Sequence, residues 1–187
     1  LYTGSSNRMS SSTTIPEGTL ISGKYRVIRE LGRGGMAAVY EAVNLDIGKR
    51  VALKLLAGHL TKSQTVVERF LREARAVARI KSPHICDVYD ASKLDDGTPY
   101  LVLELLEGES LYEAMVRDRQ MSSGLTVAIL LQVCRGLVKA HDAQIVHRDL
   151  KPENIFLTVD DEGQLLVKVL DFGLAKFYET NASPDTP

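Results

Sequence analysis

Four polar side chains late in the chain form a set that could move a phosphoryl group. Asp149, Lys151 and Asn154 fall within His147-Arg148-Asp149-Leu150-Lys151-Pro152-Glu153-Asn154, and Asp171 opens Asp171-Phe172-Gly173, seventeen residues after the Asn. A carboxylate can take a hydroxyl proton, an ammonium can neutralise phosphate charge, and an amide and a second carboxylate supply hard oxygen donors for a divalent cation. Taken singly, Asp149 and Asn154 would cap turns and Lys151 would sit in water. As one string they match the catalytic-loop pattern H-R-D-L-x-x-x-N. Pro152 favours extended backbone before it, so the string is expected on a loop, with Ile155-Phe156-Leu157 as a short strand just after.

Upstream elements can be read as what this loop needs. Tyr25, Val27, Arg29 and Leu31 alternate with Arg26, Ile28 and Glu30, which predicts a strand running into Leu31-Gly32-Arg33-Gly34-Gly35-Met36-Ala37-Ala38-Val39-Tyr40. The glycines permit a tight turn and let backbone N–H groups approach phosphate oxygens. A second alternating run over 39–43 makes a hairpin lid, whereas a dinucleotide fold would place a helix after the glycines. Such turns are common, so an ordinary hairpin is the plain alternative. The next strand, 51–56, puts Ala52 and Lys54 on one face, as an adenine edge beside its phosphates would need. A lone lysine more often snorkels at a surface.

Lys54 therefore needs a partner, and residues 65–80 offer one. At about 100° per residue, Val66, Val67, Phe70, Leu71, Ala74, Val77, Ala78 and Ile80 share an arc with Glu73, opposite Glu68, Arg69, Arg72, Arg75 and Arg79. A carboxylate in an apolar arc is costly unless it meets a cation, for which Lys54 is the candidate; otherwise Glu73 lies at the arc's edge and reaches water. The arginine face reads as solvated surface or as a docking surface. Strands are expected over 86–91 and 100–104 around Asp95-Asp96-Gly97, giving a five-stranded lobe. Val127, Leu130, Leu131, Val133, Cys134, Leu137 and Val138 predict a buried core helix over 126–142. A hairpin turn at 159–166 leads to a strand over 167–170.

With 187 residues, 44% hydrophobic and 25% charged, the chain is ordinary globular material for one domain or slightly more. A net charge of -1 excludes the strongly basic balance of a nucleic-acid binder or polybasic membrane module. Cys86 and Cys134 lack metal-ligand spacing and read as buried small apolar residues in a reduced, cytoplasmic setting. No apolar run approaches the ~18 residues of a membrane span, and no signal peptide opens the chain. Residues 1–18, with Ser10-Ser11-Ser12-Thr13-Thr14, are expected to be a disordered leader, with Met9 as an alternative start.

The octet and Asp171-Phe172-Gly173 resemble the catalytic and magnesium loops of eukaryotic-type protein kinases. Lys151 is similar to the serine/threonine branch, Gly34-Gly35-Met36 to bacterial members, and Arg148 to kinases that sense a phosphorylated activation segment. The glycine pattern G-x-G-x-x-G-x-V is met by Gly32, Gly34 and Val39, with Ala37 replacing the third glycine. The resemblance implies an α+β, two-lobed fold: N-lobe 19–104 with one helix, hinge 105–108, and only part of the C-lobe at 109–187, where a large apolar surface is left exposed.

It further implies ATP held by the backbone of Gly32, Arg33, Gly34, Gly35, Met36 and Ala37, by the apolar surfaces of Leu31, Val39, Ala52 and Phe156, and by the hinge at Leu103, Glu104 and Leu106. Lys54, held by Glu73, serves the phosphates; Asn154 and Asp171 hold Mg2+ or Mn2+; Lys151 neutralises the γ-phosphate; Asp149 is the base. His147 is implied to be a packing residue, and His141 a structural helix-end histidine. Thr180, Ser183 and Thr186 are candidate phosphosites by position. The implied activity is transfer of the γ-phosphoryl of ATP to Ser/Thr hydroxyls of protein substrates, with no nucleic-acid or membrane contact by this segment. A membrane anchor beyond it, a non-catalytic ATP-binding scaffold, and a small-molecule phosphotransferase of related fold remain open.

Overall fold

The computed structural model describes residues 14–172. The leader residues 1–13, Gly173 and the candidate phosphosites Thr180, Ser183 and Thr186 lie outside the described residues. The chain divides into two compact units, one ending at Leu71 and resuming over Tyr89–Leu105, the other comprising Arg72–Val88 and the chain from Leu106.

The first unit is built on one antiparallel sheet. Its strands are β1 (Leu20–Ile21), β2 (Tyr25–Arg33), β3 (Ala37–Asn44), β4 (Lys49–Leu56), β5 (Val88–Lys93) and β6 (Pro99–Leu103), in the order β1-β2-β3-β4-β6-β5. The five expected strands are joined by a sixth, the two-residue β1, too short to leave a period in the sequence. Period two puts Tyr25, Val27, Tyr40, Leu53 and Val102 on one face, where they form an apolar cluster. Alternation fails along β2, where the register with β3 shifts between Val27 and Arg29 and again between Glu30 and Gly32. Arg29 and Leu31 are accordingly exposed although they continue the buried phase of Tyr25 and Val27. The leader expectation needs correction at its end: Ile15 is buried in the apolar cluster, and Gly18 N–H donates to Val27 C=O at 2.8 Å. One apolar residue among polar ones leaves no periodicity to read.

Helix α1 (Gln64–Val77) crosses the division between the units after Leu71. Val67, Phe70, Leu71, Ala74 and Val77 are buried while Arg72, Arg75 and Arg79 are exposed, as the wheel predicts. Ala78 is exposed instead, because the helix has ended at Val77 and the chain turns.

In the second unit, β7 (Glu109–Ser110), β8 (Ile155–Val159) and β9 (Leu165–Val169) form a three-stranded sheet, with helices α2 (Leu111–Asp118) and α3 (Ser123–Asp142). Ser110 and Glu113 make a capping box at the start of α2, each bonding the other's backbone N–H. Ile129 and Val133 of α3 join Val77, Ile85, Val167 and Val169 in a second apolar cluster.

The expectation of a buried helix over 126–142 needs correction as well. Val127, Leu130, Leu131 and Val138 are 51–55% exposed, and Cys134 is exposed rather than buried. The apolar positions are spread round most of the helix, whereas the unit covers only the stripe carrying Ile129, Val133, Gly136 and Ala140. By length and composition alone α3 would suffice to cross a membrane, although polar residues interrupt its apolar run.

Candidate active site

The glycine hairpin belongs to the first unit. Gly32 lies opposite Val39 and Arg33 opposite Ala38, and the turn between them is closed by Gly34 N–H donating to Ala37 C=O at 2.9 Å. Met36 C=O accepts from Ala57 N–H at 2.8 Å, tying the turn to the end of β4. Val39 is paired with Lys54, and Ala52 with both Glu41 and Leu103. Cross-strand partners share a face, so Val39, Ala52, Lys54 and Leu103 stand together on the face opposite the apolar cluster. Lys54 is only 7% exposed, unlike a snorkelling surface lysine. Glu41, also on this face, was not anticipated: it is buried and pairs with Arg29 at 2.9 Å and Arg50 at 2.6 Å.

The loop belongs to the second unit and is held by its own backbone. Asn154 Nδ2 donates to Asp149 C=O at 2.8 Å and to Asp149 Oδ2 at 3.2 Å, while Lys151 Nζ lies 3.1 Å from the same Oδ2. With its nitrogen turned to Asp149, Asn154 has Oδ1 to offer a cation. Leu170 N–H donates to Asn154 C=O at 2.8 Å, and Ile155 pairs with Val169, so the β8–β9 ladder brings Asn154 beside the residue preceding Asp171. Phe156, paired with Lys168, is half-buried on β8.

His147 organises the loop from behind. It is 3% exposed; its Nε2–H donates to Leu170 C=O at 2.6 Å, and its Nδ1 accepts Asp149 N–H at 3.3 Å. One donating and one accepting nitrogen describe neutral imidazole, and burial pushes the group below the ordinary histidine range. Its ring packs on Phe172 at 4.7 Å between centroids. Arg148 and Asp171 adopt φ of 66° and 56°, a left-handed region unfavourable to side chains that here falls on both sides of the loop. The sequence carries no sign of these angles or of the Leu170 carbonyl's role.

Thus Asp149, Lys151, Asn154 and Asp171 gather in one unit, with Phe156 and Glu73 elsewhere in it. Val39, Ala52, Lys54 and Leu103 gather in the other. Leu31 and Glu104 belong to the first unit and Leu106 to the second.

The protein kinase domain family matches residues 25–187. The chain belongs to that family. Serine/threonine-protein kinase Pkn1 of Myxococcus xanthus is 45% identical to this kinase domain over 159 residues, 85% of this chain and 22% of Pkn1. Serine/threonine-protein kinase PknA of Mycobacterium tuberculosis is 40% identical over 173 residues, 90% of this chain and 39% of PknA. The solved kinase domain of Mycobacterium tuberculosis PknI aligns with a TM-score of 0.76 at 30% identity, covering 87% of this chain and 64% of that one. The chain therefore spans a minor part of these curated relatives and about two thirds of the solved domain. Its six-stranded sheet with α1 corresponds to the family's N-lobe, and the three-stranded sheet with α2 and α3 to part of its C-lobe.

Proposed function

We propose that this kinase domain is the catalytic part of an ATP-dependent serine/threonine protein kinase. The observation that carries the reading is the Asp149 carboxylate held by both Asn154 Nδ2 and Lys151 Nζ on one short loop. Asp149 orients the acceptor hydroxyl and takes its proton as that oxygen bonds to the γ-phosphorus of ATP. The bond from phosphorus to the bridging oxygen breaks, and ADP leaves. Lys151 offsets the charge on the transferring group. Lys54, with Glu73 as its partner, serves the α- and β-phosphates under the backbone of residues 32–37. Leu31, Val39, Ala52 and Phe156 enclose the adenine, which bonds the backbone at Glu104 and Leu106 beside Leu103.

Asn154 Oδ1 and the Asp171 carboxylate are hard oxygen donors of the kind Mg2+ or Mn2+ takes, and a bound ion would screen the phosphate charge. Positioning and charge stabilisation dominate such chemistry, which is why few side chains carry it. Protein substrates fit the names of the relatives, serine/threonine-protein kinases; a cytoplasmic setting, where ATP is at hand, belongs to the same reading.

Asp149→Asn is the direct test. In the full-length protein, transfer from ATP to a Ser/Thr peptide should fall by about 10²–10⁴, the range of a positioned general base, while Mg-ATP affinity stays within about threefold. Undiminished turnover would remove Asp149 from its role. Wild-type protein that binds Mg-ATP without transferring phosphate would favour a scaffold, and transfer to sugars rather than peptides a small-molecule phosphotransferase.

A further inference from the structure

Arg33 stands between two glycines in the turn proposed to cover the phosphates, where a cation would be expected to reach forward. Its guanidinium is turned back. Nε and Nη2 donate to Glu30 Oε1 and Oε2 at 3.0 and 2.8 Å, and Nη2 also donates to the Tyr40 hydroxyl at 2.8 Å. The pairing holds the Glu30 carboxyl below its ordinary range. Tyr40 lies opposite Glu30 and Leu53, whereas its neighbour Val39 lies opposite Gly32 and Lys54. Alternation therefore places the Arg33–Glu30–Tyr40 node on the face of the sheet away from Lys54.

The chain preceding the sheet is fastened to the same node. The Tyr40 hydroxyl, on a residue 1% exposed, accepts Ile15 N–H at 3.2 Å, and Arg33 Nη2 lies 3.4 Å from Thr14 Oγ1. Ile15 is buried beside Tyr40 and Ala38 in the apolar cluster. Gly18 N–H donates to Val27 C=O, and Val27 N–H to Thr19 C=O, so residues 14–19 are pinned at both ends. The β2 strand between these points is the one with two register shifts, so its ladder constrains the turn less than a regular pair would.

We propose that residues 14–19 form a strap that positions the glycine turn from its outer face, with Tyr40 and Arg33 as the positioning residues that couple strap to turn. The consequence for nucleotide affinity rests on the reading of residues 32–37 as the phosphate cover; the coupling itself does not.

Two measurements on the full chain separate these. Hydrogen exchange over residues 32–38 without nucleotide reports the turn directly, and titration calorimetry with Mg-ATP reports affinity. Removing residues 1–15, Tyr40→Phe and Arg33→Ala should each speed exchange of the turn. Each should also weaken Mg-ATP by about three- to tenfold, the scale of one lost hydrogen bond. Tyr40→Phe in the shortened chain should add little to either reading, because both changes open the same node. Val51→Ala, a core truncation on β4 that touches neither the node nor the anchors of residues 14–19, should lower the melting temperature without the selective gain in turn exchange.

Unchanged exchange after shortening or in Tyr40→Phe, fully multiplying effects, or a Val51→Ala variant that reproduces the pattern would each overturn the strap. So would Arg33→Ala weakening Mg-ATP while exchange stays fixed, since Arg33 would then be serving phosphate itself. Faster turn exchange in a chain whose wild type binds no Mg-ATP would support the strap and remove the nucleotide reading instead.

Discussion

The two groups of candidate residues, one in each unit, are built by different means. On the sheet, Val39, Ala52, Lys54 and Leu103 are aligned by ladder register, so each side chain's direction follows from its neighbour's. On the loop, Asp149, Lys151 and Asn154 are aligned by side-chain and backbone hydrogen bonds around a buried neutral histidine, with two residues at positive φ. A ladder shares its constraint over many residues and tolerates single losses; the loop concentrates it in a few bonds. The sheet also compensates its buried carboxylate locally, with Arg29 and Arg50 both on Glu41, while the loop leaves Asp149 and Lys151 partly exposed.

Substitutions can break or sharpen this contrast. The largest effect is expected at Gly108, in the second unit, where φ is +144° and an added Cβ would lie 2.1 Å from Leu157 C=O. Gly108→Ala should destabilise that unit by about 3 kcal/mol through strain and displacement of the β7–β8 pair. Hydrogen exchange should locate the loss in residues 106–172 and leave the glycine hairpin protected; equal loosening of both would erase the distinction. Next is Glu41→Ala on the sheet. Breaking a buried pair often costs more, but Arg29 and Arg50 are 64% and 51% exposed and can turn to water. About 1–2 kcal/mol in a urea melt is therefore expected.

Asn154→Ala should cost about 1 kcal/mol of stability by uncovering the Asp149 carbonyl, yet reduce phosphate transfer far more than the melt suggests. A matching small loss in both would argue that the loop is less dependent on single bonds than its geometry implies.

The gentlest probe is pH. The folded state holds His147 below its ordinary value of 6.5, mainly through burial, so the unfolded chain takes up the proton first as pH falls. Stability from this group is complete above about pH 6.5 and lost progressively below it. Thermal midpoints between pH 7.5 and 5.5 should drop more for the wild type than for His147→Gln, and a parallel drop would mean that other groups dominate.

Much of the sheet half was legible because one period governs it. Ala52 and Lys54 share a face by counting, and the apolar arc of α1 placed Val67, Phe70 and Ala74 inward. The loop half was legible as a string of residue types, since its chemistry needs a carboxylate, a cation and oxygen donors at close range. Its geometry was not. The positive φ at Arg148 and Asp171 leaves no period to read, and the bond of His147 to Leu170 joins residues 23 positions apart, with Leu170 brought beside Asn154 at the end of the β8–β9 ladder. Helix α3 shows the opposite failure, in which Val127, Leu130 and Val138 counted as core yet lie exposed, because apolar spacing says that a face can be buried and not what lies against it.

The sequence by itself determined the family, the strands that alternate and the residue types at the reacting end, since each follows from local periodicity or a contiguous string. Only the tertiary structure decided that Arg33 turns away from the Lys54 face, that Ile15 and Tyr40 meet behind the glycine turn, and that the Asn154 amide holds Asp149. Those outcomes turn on which distant groups arrive within hydrogen-bond reach, and a bond of about 3 Å leaves no trace in residue spacing.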